Sequence, residues 1–290
     1  LLGSKTDLTR SWTTLQASVT GASFIGIDGL TIAADSLEVQ VNQAGKIGDK
    51  VIDYGAGKTS LELSTGPLVT DTLLLSLDGA KGETIRAAGN LNLDVFGFFQ
   101  VAGSFAIEKR DATVTLADST IVQANLLSIG ASNVNAFAGL NGGKPEAIGL
   151  QLTGVEFGLA LLGSKTDLTR SWTTLQASVT GASFIGIDGL TIAADSLEVQ
   201  VNQAGKIGDK VVDYGVGKTS LELSTGPLVT DTLLLNLDGA KGETIRAAGN
   251  LNLDVFGFFQ VSGAFAIEKR DAMVTLADAT IVQANLLSIG

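Results

Sequence analysis

The residues nearest to a chemical motif are Gly215-Val216-Gly217-Lys218-Thr219, repeated as Gly55-Ala56-Gly57-Lys58-Thr59. They resemble the close of a phosphate-cradling loop. That loop needs a further glycine five places before its second one, so that backbone N–H groups can wrap the anion. The place holds Val212 in one copy and Ile52 in the other, and no buried strand leads through it into a helix, so a flexible glycine loop is expected instead of a nucleotide site. Asp188-Gly189, Asp238-Gly239 and Glu243 offer the hard oxygen atoms that calcium prefers. Neither the EF-hand spacing nor the Gly-Gly-x-Gly-x-Asp nonapeptide accompanies them, and Asp-Gly is also a common way to build a tight turn. No cofactor is expected, calcium being the one that the residue types leave open.

The chain has no histidine and no cysteine. The usual general base, the commonest metal ligand and the thiolate nucleophile are therefore missing. A Ser–Lys or two-carboxylate site stays formally open, but nothing in the spacing orients one, and the chain is not expected to be an enzyme. Trp12 and Trp172 each stand where a polar loop meets a strand and read as structural anchors rather than sugar platforms. An excess of 30 acidic over 19 basic residues, net −11, disfavours nucleic acid and anionic membrane surfaces as partners. No apolar run is long enough for a membrane-spanning helix. The absence of cysteine leans towards a secreted protein without disulfides.

The elements that carry these residues are β-strands. From Ile245 to Ile267 every odd position is apolar or glycine, while the even ones include Arg246, Asn250, Asn252, Asp254 and Gln260; the same pattern runs from Ile85 to Ile107. A period of two predicts strand with one face buried. Unbroken, 245–267 would span about 75 Å at about 3.3 Å per residue, although Gly257 can bend it, and an odd-length turn there would keep the parity. Glu268-Lys269-Arg270-Asp271 reads as a charged turn. In Ile148–Leu161 the alternation slips by one place at Gly154, and in Leu190–Asn202 at Ala193-Ala194-Asp195, which is how a β-bulge looks in sequence. Helical periods with caps are missing. The fold class expected is all-β, with long, largely antiparallel strands and bulges, seven to nine strands per unit.

The unit is defined by a repeat. Residues 1–130 recur as 161–290 at an offset of 160 with seven exchanges: Ile52/Val212, Ala56/Val216, Ser76/Asn236, Ala102/Ser262, Ser104/Ala264, Thr113/Met273 and Ser119/Ala279. The organisation read from this is a first copy over 1–130, its unit completed by 131–160, and an incomplete second copy over 161–290. The chain opens on Leu1, shows no signal-peptide pattern and stops at Gly290 inside a pattern, so it reads as a window from a longer tandem array in which stacked units stabilise one another.

Phe256 and Phe258, with their counterparts Phe96 and Phe98, fall on the polar side of the alternation. A strand apolar on both faces must be covered on both. These four phenylalanines are therefore either a second small core within the unit or assembly contacts to the next unit or another chain.

The phrases Gly149-Leu150-Gln151-Leu152-Thr153-Gly154-Val155-Glu156-Phe157-Gly158-Leu159-Ala160-Leu161 and Leu253-Asp254-Val255-Phe256-Gly257-Phe258-Phe259 resemble repeat modules of very large bacterial secreted or surface proteins, the adhesin-like chains of many near-identical units. The resemblance covers the whole chain and rests on style, not on a diagnostic motif. It implies an extracellular or cell-surface location and a role as stalk, fibre or adhesin. Three functions follow as expectations: a structural segment that builds an elongated stalk, fibre or tube by stacking β-rich units; an adhesin whose repeats bind a glycan or surface; or a porin-like membrane β-barrel. The partners expected are neighbouring repeats and identical chains.

Overall fold

The structure is a computed structural model covering residues 1–290. Its long strands are β2 (Ser11–Phe24), β3 (Leu30–Ala44), β6 (Thr84–Val95), β7 (Phe99–Thr115), β8 (Ile121–Leu140), β9 (Ile148–Ser164), β10 (Ser171–Ile185), β11 (Leu190–Ala204), β14 (Thr244–Val255), β15 (Phe259–Thr275) and β16 (Ile281–Ile289). With the short β1 (Leu2–Gly3) they form one 12-stranded antiparallel sheet in chain order. Twice the chain leaves this meander. Residues 45–83 and 205–243 form inserts carrying the short hairpins β4–β5 (Glu62–Ser64, Thr72–Leu74) and β12–β13 (Glu222–Ser224, Thr232–Leu234). Helix is limited to two three-residue 3-10 turns, Gly79–Lys81 and Gly239–Lys241. The fold is all-β, and the run β2–β8 returns element by element as β10–β16. The sheet does not pause between copies, because β8 crosses position 130 and β9 crosses position 160.

The bulges fall where the alternation slips. Gly154 takes φ +59°, and the β8–β9 pairing shifts between Val134 and Ala136. In β11 the register shifts between Asp195 and Glu198, with Ser196 at φ +54°. Each bulge returns the apolar positions to the face they held before it, which keeps that face continuous.

Two expectations about 245–275 are corrected. The stretch is not one long strand. It reverses at Phe256-Gly257-Phe258 between β14 and β15, as 85–107 does at Phe96-Gly97-Phe98. Phe96 and Gly97 both take positive φ, 52° and 67°, and the Asp94 carboxylate accepts the Gly97 N–H at 2.8 Å. A three-residue turn preserves odd–even parity, so the alternation passes through the reversal unmarked. The charged quartet Glu268–Asp271 is no turn but the middle of β15. Its alternate members pair across the sheet, Glu268 with Arg246 and Arg270 with Thr244. The turn comes later, where Thr280 donates its N–H to Asp278 at 3.0 Å.

The largest correction concerns which face is covered. One register row crosses eleven strands: Val19, Leu37, Gly89, Phe105, Ala131, Phe157, Ala177, Val199, Ala247, Ile267 and Ile289. Every member is apolar or glycine. This is the odd face of 85–107, expected to be buried, yet Ile85, Leu91, Phe99 and Ile107 are exposed. The buried residues are those of the even face: Thr84, Arg86, Ala88, Ala106 and Glu108. The cause is the inserts, which cover the even-position face, polar at Arg86 and Glu108 but apolar at Val114, and leave the odd-position face of 85–107 open. In consequence the molecule exposes 17019 Å², against about 11,600 Å² for a compact monomer of 29.7 kDa.

Candidate functional site

The main hydrophobic core lies at the seam between the two copies. Fifteen buried residues form it. From the sheet come Val114 of β7, Val122, Ala124 and Leu126 of β8, Ala160 and Leu162 of β9, and Trp172 of β10; the second insert supplies Val212, Tyr214, Leu221, Leu223, Leu235 and Leu237. The second copy's insert therefore closes over the last strands of the first copy's unit. Leu116 and Val212 form a β-bridge. Asp213 donates its N–H to the Thr115 carbonyl and Ala117 to the Val211 carbonyl, both at 2.9 Å. The insert thus continues the hydrogen-bonding of the β7 end.

Close approach requires glycine at one place under the insert, Gly130, where backbone stands in the way, and leaves little room at a second, Gly158, where leucine side-chain ends do. A Cβ on Gly158 would stand 2.6 Å from Leu233 Cδ2 and 3.0 Å from Leu223 Cδ1, and one on Gly130 would strike the Ser224 carbonyl oxygen. Gly290, the counterpart of Gly130, has nothing within 4 Å. The sequence placed glycine at both positions, but no pattern in it marked them as a seat.

Polar groups flank the core. Arg86 is buried; its Nη1 meets Glu38 Oε2 at 2.9 Å, its Nε and Nη2 donate to Ser224 Oγ at 3.1 Å, and Nη2 donates to the Gly226 carbonyl at 2.5 Å. Arg110 Nη2 donates to the Glu222 carbonyl at 3.0 Å and its Nε meets the buried Glu108 at 3.4 Å. Both arginines belong to the first copy, and the insert atoms they hold belong to the second. These groups line a cavity of about 730 Å³ between the two inserts, together with Ser76, Asp78 and Lys81 of the first. Glu108 Oε1 lacks a hydrogen-bond partner there. Arg86 pairs with Glu38 and Arg110 with Glu108.

Tyr214 and Thr174 share a buried hydrogen bond at 2.9 Å, and burial pushes the tyrosine hydroxyl well above its ordinary range. The counterpart bond, Tyr54 to Thr14, is 3.0 Å and only partly buried. Trp172 is an anchor: its Nε1 donates to the Lys210 carbonyl at 2.8 Å, and the Arg170 guanidinium lies 5.1 Å over its ring.

The loop that resembles a phosphate cradle has a structural task. The Asp213 carboxylate takes the N–H groups of Gly215 at 2.9 Å and Gly239 at 3.1 Å, and Thr219 Oγ1 accepts the Thr115 N–H at 2.7 Å. The Asp213 bonds brace the insert internally, and the Thr219 bond straps it to the end of β7. Asp188-Gly189 lies at the β10–β11 turn, while Asp238 caps the 3-10 turn by accepting the Ala240 N–H at 2.9 Å.

Phe96, Phe98, Phe256 and Phe258 lie at the opposite end of the sheet from the inserts. The Phe96 N–H donates to the Gly29 carbonyl at 2.6 Å, and Phe256 does the same to Gly189. Phe98 is 55% exposed and Phe258 95%; the Gly139 N–H, on the neighbouring β8, reaches the Phe98 carbonyl at 2.9 Å. These contacts stay within one unit, and the seam uses none of the four rings. Comparison with protein-family models, with curated proteins and with solved structures finds no match for this chain.

Proposed function

We propose that the chain is a structural segment of an extracellular or cell-surface protein, one that lengthens a β wall by adding like units side by side. The observation that carries this reading is the seated insert. Leu223 is 0% exposed where a preceding unit lies under it, and Leu63, with the same local sequence, is 39% exposed where none does. A unit that completes its core only on a neighbour gains stability from each addition, as repeat arrays do. The resemblance to adhesin-like repeat modules agrees with this role, as do the acidic surface and the lack of cysteine. Urea melts of chains with one, two and three 160-residue units test it. Midpoints that rise with unit number support the proposal, and identical midpoints refute it.

The open apolar face favours a second reading, a porin-like wall with that face in lipid. Register argues for the first. The row that leaves β2 at Val19 reaches β10 at Ala177, whose counterpart is Ala17, a step of two residues per unit (19 − 17 = 2). Two residues of about 3.3 Å across six spacings of about 4.8 Å give a lean of roughly 13°, whereas membrane barrels tilt their strands by about 35–45°. Flotation of chain refolded from urea with lipid vesicles separates the readings: recovery in the lipid fraction supports the barrel, and recovery in the aqueous fraction supports the wall.

A further inference from the structure

We infer that two copies of this chain pack face to face, the apolar face of one sheet against the apolar face of the other. The inference adds to the wall reading and does not rest on it, because units can couple along a wall whether or not a second wall covers it. Its ground is the face opposite the inserts. The register row through Gly89 is apolar or glycine across eleven strands, and the rows through Leu93 and Val95 are so from β3 to β15. Leu91, Ile107, Leu150 and Ile192 are 41%, 46%, 47% and 42% exposed. They stand on β6, β7, β9 and β11, each of which has a hydrogen-bonded strand on either side. Their exposure is therefore a property of the face and not of an edge.

The area suits a second copy. From Ala87 to Val95 the band is nine residues tall, about 30 Å, and eleven strands about 4.8 Å apart make it about 48 Å wide. The footprint is about 1,400 Å² per copy. Full overlap of two such faces removes about 2,800 Å² from water, and half overlap about 1,400 Å², which already lies within the range of about 1,200–2,000 Å² found for stable interfaces. A monomer rarely leaves an apolar patch of more than a few hundred Å² uncovered.

The texture of the face also favours a sheet over lipid as its cover. In the central row Gly89, Phe105, Ala131, Phe157 and Ala177 alternate small and large on successive strands. Such ridges and hollows let two sheets interdigitate at a spacing of about 10 Å, whereas fluid acyl chains need none. A lipid-facing wall carries aromatic girdles along both margins of its apolar band. Here phenylalanines mark the margin at the turns, but the margin towards the inserts ends in a row that holds Lys109, Thr173 and Gln203. Both tryptophans and both tyrosines belong instead to the inserts and the face beneath them. The same surface serves on both copies, so the contact is isologous and closes at two. The inserts lie on the outer faces of the pair and stay clear of it.

Ile107→Lys, Leu150→Lys and Ile192→Lys, introduced together, put three ammonium groups on the face at positions already open to water. Sedimentation velocity over a concentration series is the assay, with far-ultraviolet circular dichroism to check that the sheet is kept. The wild-type chain is expected at twice 29.7 kDa and the triple variant as a monomer. Binding of the apolar dye anilinonaphthalene sulfonate reads the same face with no substitution at all: it is expected to be weak in the wild-type dimer and to rise as dilution yields monomer. A wild-type chain that stays monomeric overturns the inference. So does a folded triple variant that still associates, which would place the contact elsewhere, and so does a dimer that binds the dye as strongly as the monomer. Flotation with phosphatidylcholine vesicles separates the other cover: a dimer left in the aqueous fraction supports the inference, and a monomer that floats gives the face to lipid and overturns it. If the melts of longer chains show coupling between units while the wild-type chain stays monomeric, the wall reading survives and this inference alone falls.

Discussion

Leu223→Ala and Leu63→Ala are the same substitution in the same local sequence, Leu-Glu-Leu-Ser-Thr-Gly-Pro, in two different surroundings. Leu223 is fully buried over Gly158 among Leu126, Leu162 and Trp172. Truncating a leucine there removes its transfer free energy and leaves a cavity that the sheet cannot collapse to fill, a loss of about 2–5 kcal/mol. Leu63 is already 39% exposed, so little cavity forms, and about 1 kcal/mol of apolar burial is lost. With a urea dependence of about 3 kcal/mol per molar, these become midpoint shifts of about 0.7–1.7 M and about 0.3 M. Equilibrium urea unfolding followed by far-ultraviolet circular dichroism reads both. Equal shifts would mean that the second insert derives nothing from the first copy's strands, and the account of the seam would be wrong.

Other paired substitutions probe the polar flank and the turns. Arg86→Ala removes a buried guanidinium and strands Glu38 and the Gly226 carbonyl, and is expected to cost about 3–5 kcal/mol, while the more exposed Arg246→Ala costs under about 1 kcal/mol; unfolding midpoints check both, and a cost at Arg246 matching that at Arg86 contradicts the seam. Hydrogen bonds from Thr120 and Thr169 hold the Asp118 and Asp167 carboxyls below their ordinary value of 3.8, as those from Thr9 and Thr280 hold Asp7 and Asp278. A carboxyl depressed in the folded state stabilises fully above its unfolded value and loses that contribution as pH falls through its lowered folded value. The urea midpoint should therefore hold steady from neutrality to about pH 5 and decline below about pH 4, with a shallower decline when Asp118 and Asp167 are replaced by asparagine.

Much of this was legible in the residues, because a two-residue period with Asp-Gly and Asn-Gly turns admits little but antiparallel sheet. Bulges at Gly154 and Asp195 could be read because each shifts the phase of an otherwise regular pattern. Parity concealed the Phe96–Phe98 and Phe256–Phe258 reversals, since three residues of turn look like three more of strand. The covered face was misjudged for a different reason. Alternation shows that two faces differ, but not which one receives a neighbour. Here Arg86 and Glu108, polar enough to signal solvent, lie beneath an insert whose Leu221 and Leu223 gave only a short strand signal. The seam itself was invisible because its partners, Val114 and Val212, lie 98 residues apart (212 − 114 = 98), and nothing local couples them.

The claim that each insert completes itself on the preceding unit is tested most directly by hydrogen exchange of the two inserts within one wild-type molecule. Ser76 and Asn236 differ, so fragments reaching those positions from the two otherwise similar hairpins can be told apart by mass. The account predicts that amides of 219–237 exchange far more slowly than those of 59–77, because only the former are closed over by a unit beneath them. Equal exchange in the two inserts would contradict it.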